Sequence, residues 1–408
     1  MNRRSFLQSS VALAGLSAVG FTGCTKKQVV ASVPGAPSLP FYDAVGPIVP
    51  IRADVDRIFR ITVCLRPFRA AGPRLDVERL GDRVVVHNYG HGGSGWSLSW
   101  GSADVVVRKA LDGANGKREL AVIGCGALGM TAAITAQRAG FKVTIYAKER
   151  PPYVRSVRAT GSWTPDSRIA LASAAPPTFA ALWESMARTS FAMYQSYLGT
   201  AGNPVEWNDW FYLRDEAPGQ GVARMRPGVA HDFAHYYDRI SDLTPKAQDI
   251  PAGAHPFPTR YVRRDSSLTF NIAGYARQLM NDFMIAGGMI ETREFHSPQD
   301  LASLSQPVII NCPGYGAREL WSDESIVPVR GQIAWLIPQE GVHYGLSYKG
   351  VNVLARRDGI VVQPTLGGED EGWNDTNEQP DRAAAVAAVE VIQELYSRME
   401  TMPKGHST

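Results

Sequence analysis

The chain has 408 residues, with 42 Lys+Arg against 39 Asp+Glu, a formal charge of +3 at pH 7 and 44% hydrophobic residues. That near-neutral balance, with no basic run or stripe, argues against a nucleic-acid partner, and the length is enough for a two-domain enzyme with a large core. Cysteines fall at Cys24, Cys64, Cys125 and Cys312 at no metal-like spacing, so the last three are expected as buried thiols without a disulfide framework.

The N-terminus reads MNRRSFLQSSVALAGLSAVGFTGC. Arg3 and Arg4, followed by Phe6, Leu7 and an apolar stretch from Val11 to Phe21, match a twin-arginine export signal. The stretch is too short for a membrane span, which needs about 20 apolar residues. Phe21-Thr22-Gly23-Cys24 resembles a lipobox, making Cys24 a candidate for lipidation and membrane attachment. Residues 1–23 are therefore expected as a signal for a periplasmic protein, and 24–50 as a Pro-rich spacer. Without Arg3 and Arg4, 40 basic residues face 39 acidic ones, a mature charge near +1.

Along the remaining chain, Ile58 to Leu65 alternates apolar and polar, and Arg66-Pro67 breaks the pattern. A second strand, Arg83 to Asn88, runs into HNYGHGGSGWS (87–97), after which Ser97 to Leu111 is helical with Ser97 as its cap. DGANGKR (112–118) is a turn-rich connector. Leu120 to Ile123 is a buried strand, Gly129 to Ala139 a helix and Lys142 to Tyr146 the next strand, together a βαβ unit. Trp183, Trp207, Trp210, Phe211 and Tyr212 mark a second packed region. Phe270 to Gly287 is a helix and Pro307 to Asn311 a buried strand. Val329 to Ile337, Val351 to Leu354 and Gly359 to Val362 are strands of an antiparallel sheet, and Arg382 to Met399 is a last amphipathic helix.

VIGCGALG (122–129) places Gly124, Gly126 and Gly129 in the GxGxxG positions between strand and helix. Gly124 permits the tight turn and Gly126 lets the backbone, Ala127 included, approach a pyrophosphate. Gly129 lets the helix lie close to the sheet, and the helix N-terminus favours the negative charge. Lys148 and Glu149 end the second strand, where Glu149 is placed to bind the adenosine ribose. The fingerprint alone does not separate NAD from FAD. It normally opens its domain, yet about a hundred residues precede it here.

Several blocks resemble the D-amino-acid oxidase family. They are ATGSWTP (159–165), VIINCPG (308–314), VRGQ (329–332), the tyrosine pair of Tyr344-Gly-Leu-Ser-Tyr348, and Thr365-Leu-Gly-Gly368. Cys64-Leu-Arg-Pro and HNYGHGG resemble the family's C-terminal segments but stand at the front. One rotation restores the family order, so the chain reads as a circularly permuted member. The resemblance implies an α/β fold: a Rossmann-type FAD-binding domain plus an α+β substrate domain with a mixed or antiparallel sheet. It further implies FAD-binding residues 51–176 (58–111 plus 119–176), a cap mainly at 177–290 and a return at 291–330. The substrate-domain sheet would span 331–379 and the final helix 380–400.

It also implies FAD as cofactor and an amino acid as substrate, with Arg66 forking onto the carboxylate, Tyr348 adding a hydroxyl and Tyr344 lining or gating the pocket. Gly161, Ser162, Trp163 and Thr164 would contact the cofactor. Gly92, Gly93, Ser94, Gly95, Trp96 and Ser97 would present backbone amides to the flavin's pyrimidine edge. Ser94 stands for an aromatic of the family and Thr164 for a glutamine, both near the substrate. His87 and His91 are read as loop-shaping residues, with no third ligand and no metal expected. The expected reaction is oxidation of a D-amino acid to an imino acid, hydrolysed to a 2-oxo acid and ammonia, with oxygen or a quinone as acceptor. Glycine or secondary-amine oxidation, and a non-catalytic flavin-binding protein, are the alternatives.

Overall fold

The computed structural model describes Val45 and residues 48–217, 230–365 and 367–400. The expected signal, Cys24 and nearly all of the Pro-rich spacer lie outside the described residues. In chain order the elements are β1 (Ile58–Arg69), β2 (Val77–Leu80), β3 (Arg83–His87), α1 (Ser99–Gly113), β4 (Glu119–Ile123), α2 (Ala127–Arg138) and β5 (Lys142–Ala147). Then come α3 (Phe179–Gln195), β6 (Val205–Arg214), β7 (Gln248–Ile250), β8 (Tyr261–Phe270), α4 (Ile272–Ile285), β9 (Met289–Thr292) and β10 (Val308–Asn311). The last are α5 (Ala317–Leu320), β11 (Ile326–Leu336), β12 (Tyr344–Tyr348), β13 (Val351–Arg356), β14 (Gly359–Pro364) and α6 (Arg382–Glu400).

Val84–Val86, Leu120–Val122 and Val308–Ile310 are continuous apolar runs, which only a sheet covered on both faces accommodates. They lie in a six-stranded sheet of order β2-β3-β10-β4-β5-β9, parallel except for the antiparallel edge strand β2. Helices α1 to α4 pack into one hydrophobic cluster on one face, and Leu301, Leu304 and Leu320 cover the other. The chain steps outward from β4 to β5 and returns on the opposite side through β10. The crevice at the carboxyl ends of β4 and β10 is the point where such sheets hold ligands.

The second sheet has the order β1-β11-β14-β13-β12-β6-β8-β7, antiparallel except between β12 and β6. Its side chains alternate between faces with a period of two. Phe211, Leu213, Ala334, Leu336, Val353 and Val362 pack beneath Ala385, Val389 and Ile392 of α6. The opposite face carries Asn208, Trp210, Gly331, Ser347, Asn352 and Gln363 into a cavity. Among the described residues no helix is long and apolar enough to cross a membrane.

Several expectations need correction. β1 does not stop at Arg66-Pro67 but runs to Arg69, with Pro67 opposite Pro328 of β11. It is an edge strand, where a residue lacking an N–H is tolerated. Ser97 does not cap α1, whose N-cap is Leu98; its hydroxyl instead accepts the Thr164 N–H at 2.8 Å. Segment 58–111 is divided, β1 joining the eight-stranded sheet and β2 and β3 the six-stranded one. Likewise α3 and α4, from the stretch expected mainly as a cap, share a core with α1 and α2. Apolar helix faces follow the nearest uncovered core, whatever segment they belong to in sequence.

Candidate active site

A cavity of about 1170 Å³ lies between the carboxyl ends of the parallel strands and the polar face of the eight-stranded sheet. Residues 124–128 after β4, 147–149 at the end of β5, 312–316 after β10 and most of 91–97 after β3 line one side. Residues of β1, β6, β8, β11, β12, β13 and β14 line the other.

Gly124 adopts φ +100°, and a Cβ there would collide with the Cys312 carbonyl. A Cβ on Gly129 would collide with the Gly124 carbonyl, so Gly129 sets the closeness of helix to turn and does not itself line the cavity. At the start of α2 the Ala127 N–H donates to the Ser156 hydroxyl at 3.2 Å. Gly126, Ser156, Arg155 and Arg158 line the wall there, joining first-turn amides to two guanidinium groups, a site suited to a pyrophosphate. Arg155, Ser156 and Arg158 were missed from the sequence, because they lie beyond the fingerprint in an irregular segment. Lys148 and Glu149 line the rim, Lys148 ion-paired to Glu294 at 3.0 Å.

The 91–97 loop is pressed against 164–168. A Cβ on Gly92 (φ +54°) would collide with the Arg168 carbonyl, and the Gly93 N–H donates to the Ser167 carbonyl at 3.0 Å. Gly92, Gly93, Gly95, Trp96 and Ser97 line the cavity, and the Trp96 indole N–H donates to the Ser156 carbonyl at 2.8 Å. Ser94 does not line it. Its side chain is fully buried and donates to the Ser167 carbonyl at 3.0 Å, which corrects its expected place near cofactor and substrate.

Gly161 (φ +103°), Ser162, Trp163 and Thr164 all line the cavity. The Gly161 carbonyl accepts the Phe270 N–H at 2.6 Å, and the Trp163 N–H donates to the Leu268 carbonyl at 3.1 Å. Arg356 holds this loop from behind, donating to the carbonyls of Ala159 at 2.8 Å and Thr160 at 3.3 Å.

Arg66 enters the cavity from β1. Its Nη1 donates to the carbonyls of Arg330 at 3.2 Å and Val329 at 3.4 Å. Among the described residues no carboxylate lies within ion-pair distance of it. Burial pulls its pKa below the usual arginine value. A recessed guanidinium held only by neutral acceptors favours an incoming anion. Cys64, two residues earlier on the same face, has its thiol pKa raised by burial.

The tyrosine pair is not in the pocket. Tyr344 and Tyr348 point to the opposite face of β12, into the core beneath α6. The Tyr344 hydroxyl donates to the Val49 carbonyl at 2.8 Å and meets Tyr396 at 2.6 Å; that of Tyr348 donates to Asp215 at 2.7 Å. What β12 shows the cavity is Ser347. The Trp210 indole N–H donates to the Ser347 hydroxyl at 2.9 Å, which donates to Asn352 Oδ1 at 2.6 Å. This chain fixes a polar floor that also carries Gln363, hydrogen-bonded to Thr160.

His87 is buried between Glu78 at 3.0 Å and Asn311 at 3.2 Å, and His91 contacts Ser102 at 2.9 Å. Burial lowers the His91 pKa to about 3, so it is neutral at physiological pH. No metal-ligating cluster occurs among the described residues.

A family model described as FAD dependent oxidoreductase matches residues 119–404. A D-amino-acid oxidase from Streptomyces coelicolor is 29% identical over 285 residues, 66% of this chain and 75% of that protein. Another from Rubrobacter xylanophilus is 28% identical over 284 residues, 68% of this chain and 77% of that protein. Of solved structures, iminodiacetate oxidase from Chelativorans sp. BNC1 aligns with a TM-score of 0.47 at 14% identity, covering 69% of this chain and 80% of that one.

Proposed function

This chain belongs to the FAD-dependent oxidoreductase family, and on that premise we propose that it oxidises D-amino acids to imino acids, which water converts to 2-oxo acids and ammonia. The observation that carries this reading is Arg66: a guanidinium without a carboxylate partner among the described residues, recessed in the same cavity as the Gly124 turn and the 91–97 loop.

The cavity fits an extended dinucleotide. The glycines at 92, 124 and 161 keep backbone where a Cβ would collide or the left-handed conformation is demanded. Gly126, Ala127, Ser156, Arg155 and Arg158 would hold the pyrophosphate, Glu149 the ribose, and the loops 92–97 and 161–164 the ring system. The flavin, when bound, takes up the hydride leaving the substrate α-carbon. The chain's own task is orientation: Arg66 forks onto the carboxylate and fixes the α-carbon, while the Trp210–Ser347–Asn352 chain keeps the polar floor in one arrangement. No described side chain need act as base if the substrate arrives as a free amine. The acceptor that would reoxidise the bound cofactor is oxygen, giving hydrogen peroxide, or a quinone.

The proposal extends to the order of the chain. Segment 58–111 precedes the matched residues, yet it supplies β1 beside β11, β3 beside β10 and the glycine loop of the cavity. This supports reading it as the family's C-terminal part carried to the front. The twin-arginine pattern and Cys24 support export to the periplasm and lipid anchoring.

The test is a visible spectrum of the purified protein followed by anaerobic addition of D- and L-amino acids. A yellow protein that releases FAD on acid precipitation and is bleached by D- but not L-amino acids supports the reading. A colourless protein, or one bleached by no D-amino acid, contradicts it.

A further inference from the structure

Of the guanidinium groups lining the cavity, Arg66 is given to the substrate carboxylate and Arg155 and Arg158 to the pyrophosphate, while Arg168 has no task in the proposed reaction. It lines the same wall shortly after the 161–164 loop. It has φ +49°, a left-handed conformation uncommon for a residue with a Cβ, and its carbonyl sits where Gly92 leaves no room for a side chain. Its guanidinium is held by neutral oxygens: Nε donates to the Glu369 carbonyl at 2.6 Å, Nη2 to the Gly368 carbonyl at 3.0 Å and Nη1 to the Ser167 hydroxyl at 3.4 Å.

Three acidic residues, Glu369, Asp370 and Glu371, lie on the turn that holds it and their charges reach Arg168, but among the described residues none forms an ion pair with it, and each carboxylate has another partner. Glu369 faces His235 at 3.5 Å, Asp370 bonds His231 at 2.5 Å and Glu371 accepts the Gly367 N–H at 2.6 Å. Burial and then the neighbouring charge of Arg66 lower the Arg168 pKa to about 10, against the opposing charges of Glu369, Asp370 and Glu371, so Arg168 stays charged at neutral pH. Two like charges are thus fixed in one cavity, each supported by carbonyls and neither neutralised by an ion pair among the described residues. An anionic group at each would relieve both the desolvation and the mutual repulsion.

We propose that Arg168 is a distal anion site and that the substrates of this cavity are amino acids whose side chain carries a second carboxylate, with Arg66 taking the α-carboxylate. The inference rests on the oxidase reading given above and names its substrate class. The polar floor of Asn352, Ser347 and Gln363 suits such a side chain better than an apolar one. Asp166 and Asp265 stand on the wall too, but each already accepts a backbone N–H, from Tyr236 at 3.3 Å and Ser266 at 2.8 Å. Burial also raises both pKa values, which disfavours their charged forms as partners for a cationic side chain.

Equilibrium binding separates this from catalysis. Succinate and butyrate are titrated into the flavin-loaded protein and followed by the flavin absorbance change; both offer Arg66 a carboxylate, and only succinate offers Arg168 another. Succinate is expected to bind at least about tenfold more tightly, the order of one charge-assisted hydrogen bond. In Arg168→Asn, which keeps a residue tolerant of the left-handed conformation, that ratio should fall to near one. Arg168→Lys should retain part of it, since an ammonium keeps the charge without the fork. D-Aspartate should likewise bleach the parent flavin at lower concentration than D-asparagine or D-lysine. Equal binding of succinate and butyrate by the parent overturns the inference even if the variants do not fold, and so does a preference for D-lysine. If D-alanine still bleaches the flavin in those cases, the oxidase reading stands. If neither D-alanine nor any acidic D-amino acid does, both fall.

Discussion

The guanidinium of Arg66 lies directly on the Cα of Gly331. A Cβ built on Gly331 would come within 2.6 Å of Arg66 Cζ, so the arginine reaches the cavity floor only because the strand beside it carries a glycine there. The two belong to adjacent strands, with Gly331 paired to Cys64.

Gly331→Ala should therefore act as a variant of Arg66. The added methyl group displaces the guanidinium while leaving the residues around Gly124 untouched. Flavin content should be kept, while the concentration of D-amino acid needed for half-maximal bleaching rises by roughly tenfold or more, the order of a lost charge-assisted hydrogen bond. Unchanged substrate affinity would mean that the guanidinium position does not matter.

Tyr348→Phe should separate stability from function. The hydroxyl donates to Asp215 and accepts from Arg398 Nη1 at 2.7 Å, on the face of β12 turned away from the cavity. Its loss should cost about 1 kcal/mol in urea unfolding and leave flavin reduction within about twofold. A severe loss of reduction rate at intact stability would return Tyr348 to the pocket.

That pair shows what the sequence could and could not convey. The strand–turn–helix around Gly124, the loop after β3 and Arg66 were legible, because each is a local pattern with its own steric reason. Tyr344-Gly-Leu-Ser-Tyr348 matched a motif by its letters, but a strand turns every side chain over with a shift of one residue. Ser347, the one polar side chain between apolar neighbours, was the available sign that the odd-numbered positions face the cavity. Nothing local marked Arg168 or Arg158; each becomes part of the wall through contacts with residues 95 to 201 positions away. The division of α3 and α4 from β6 and β8 was hidden for the same reason, since amphipathicity gives a helix a buried face without saying which core receives it.

His91 sets an expectation for pH. Its folded pKa, near 3, lies below the usual histidine value near 6.5, so between those limits the unfolded chain binds a proton that the folded protein refuses. Folding stability therefore decreases as pH falls from 6.5 toward 3, by roughly 1.4 kcal/mol per pH unit from this group. His91→Asn should make the loss of stability between pH 6 and pH 4 shallower, as read by denaturant midpoints across the range. An unchanged acid slope would mean that His91 is protonated in the folded state.

The most direct measurement is the anaerobic reduction of bound flavin by D-amino acids in the parent, Arg66→Ala and Arg66→Lys. The expected result is that all three hold FAD and that the parent is bleached readily. The alanine variant should need at least about tenfold more substrate, and lysine should recover part of the loss, because an ammonium keeps the charge but not the two-pronged geometry. Bleaching of the alanine variant at the parent's substrate concentrations would contradict the account, leaving Arg66 a structural residue and the carboxylate without its partner.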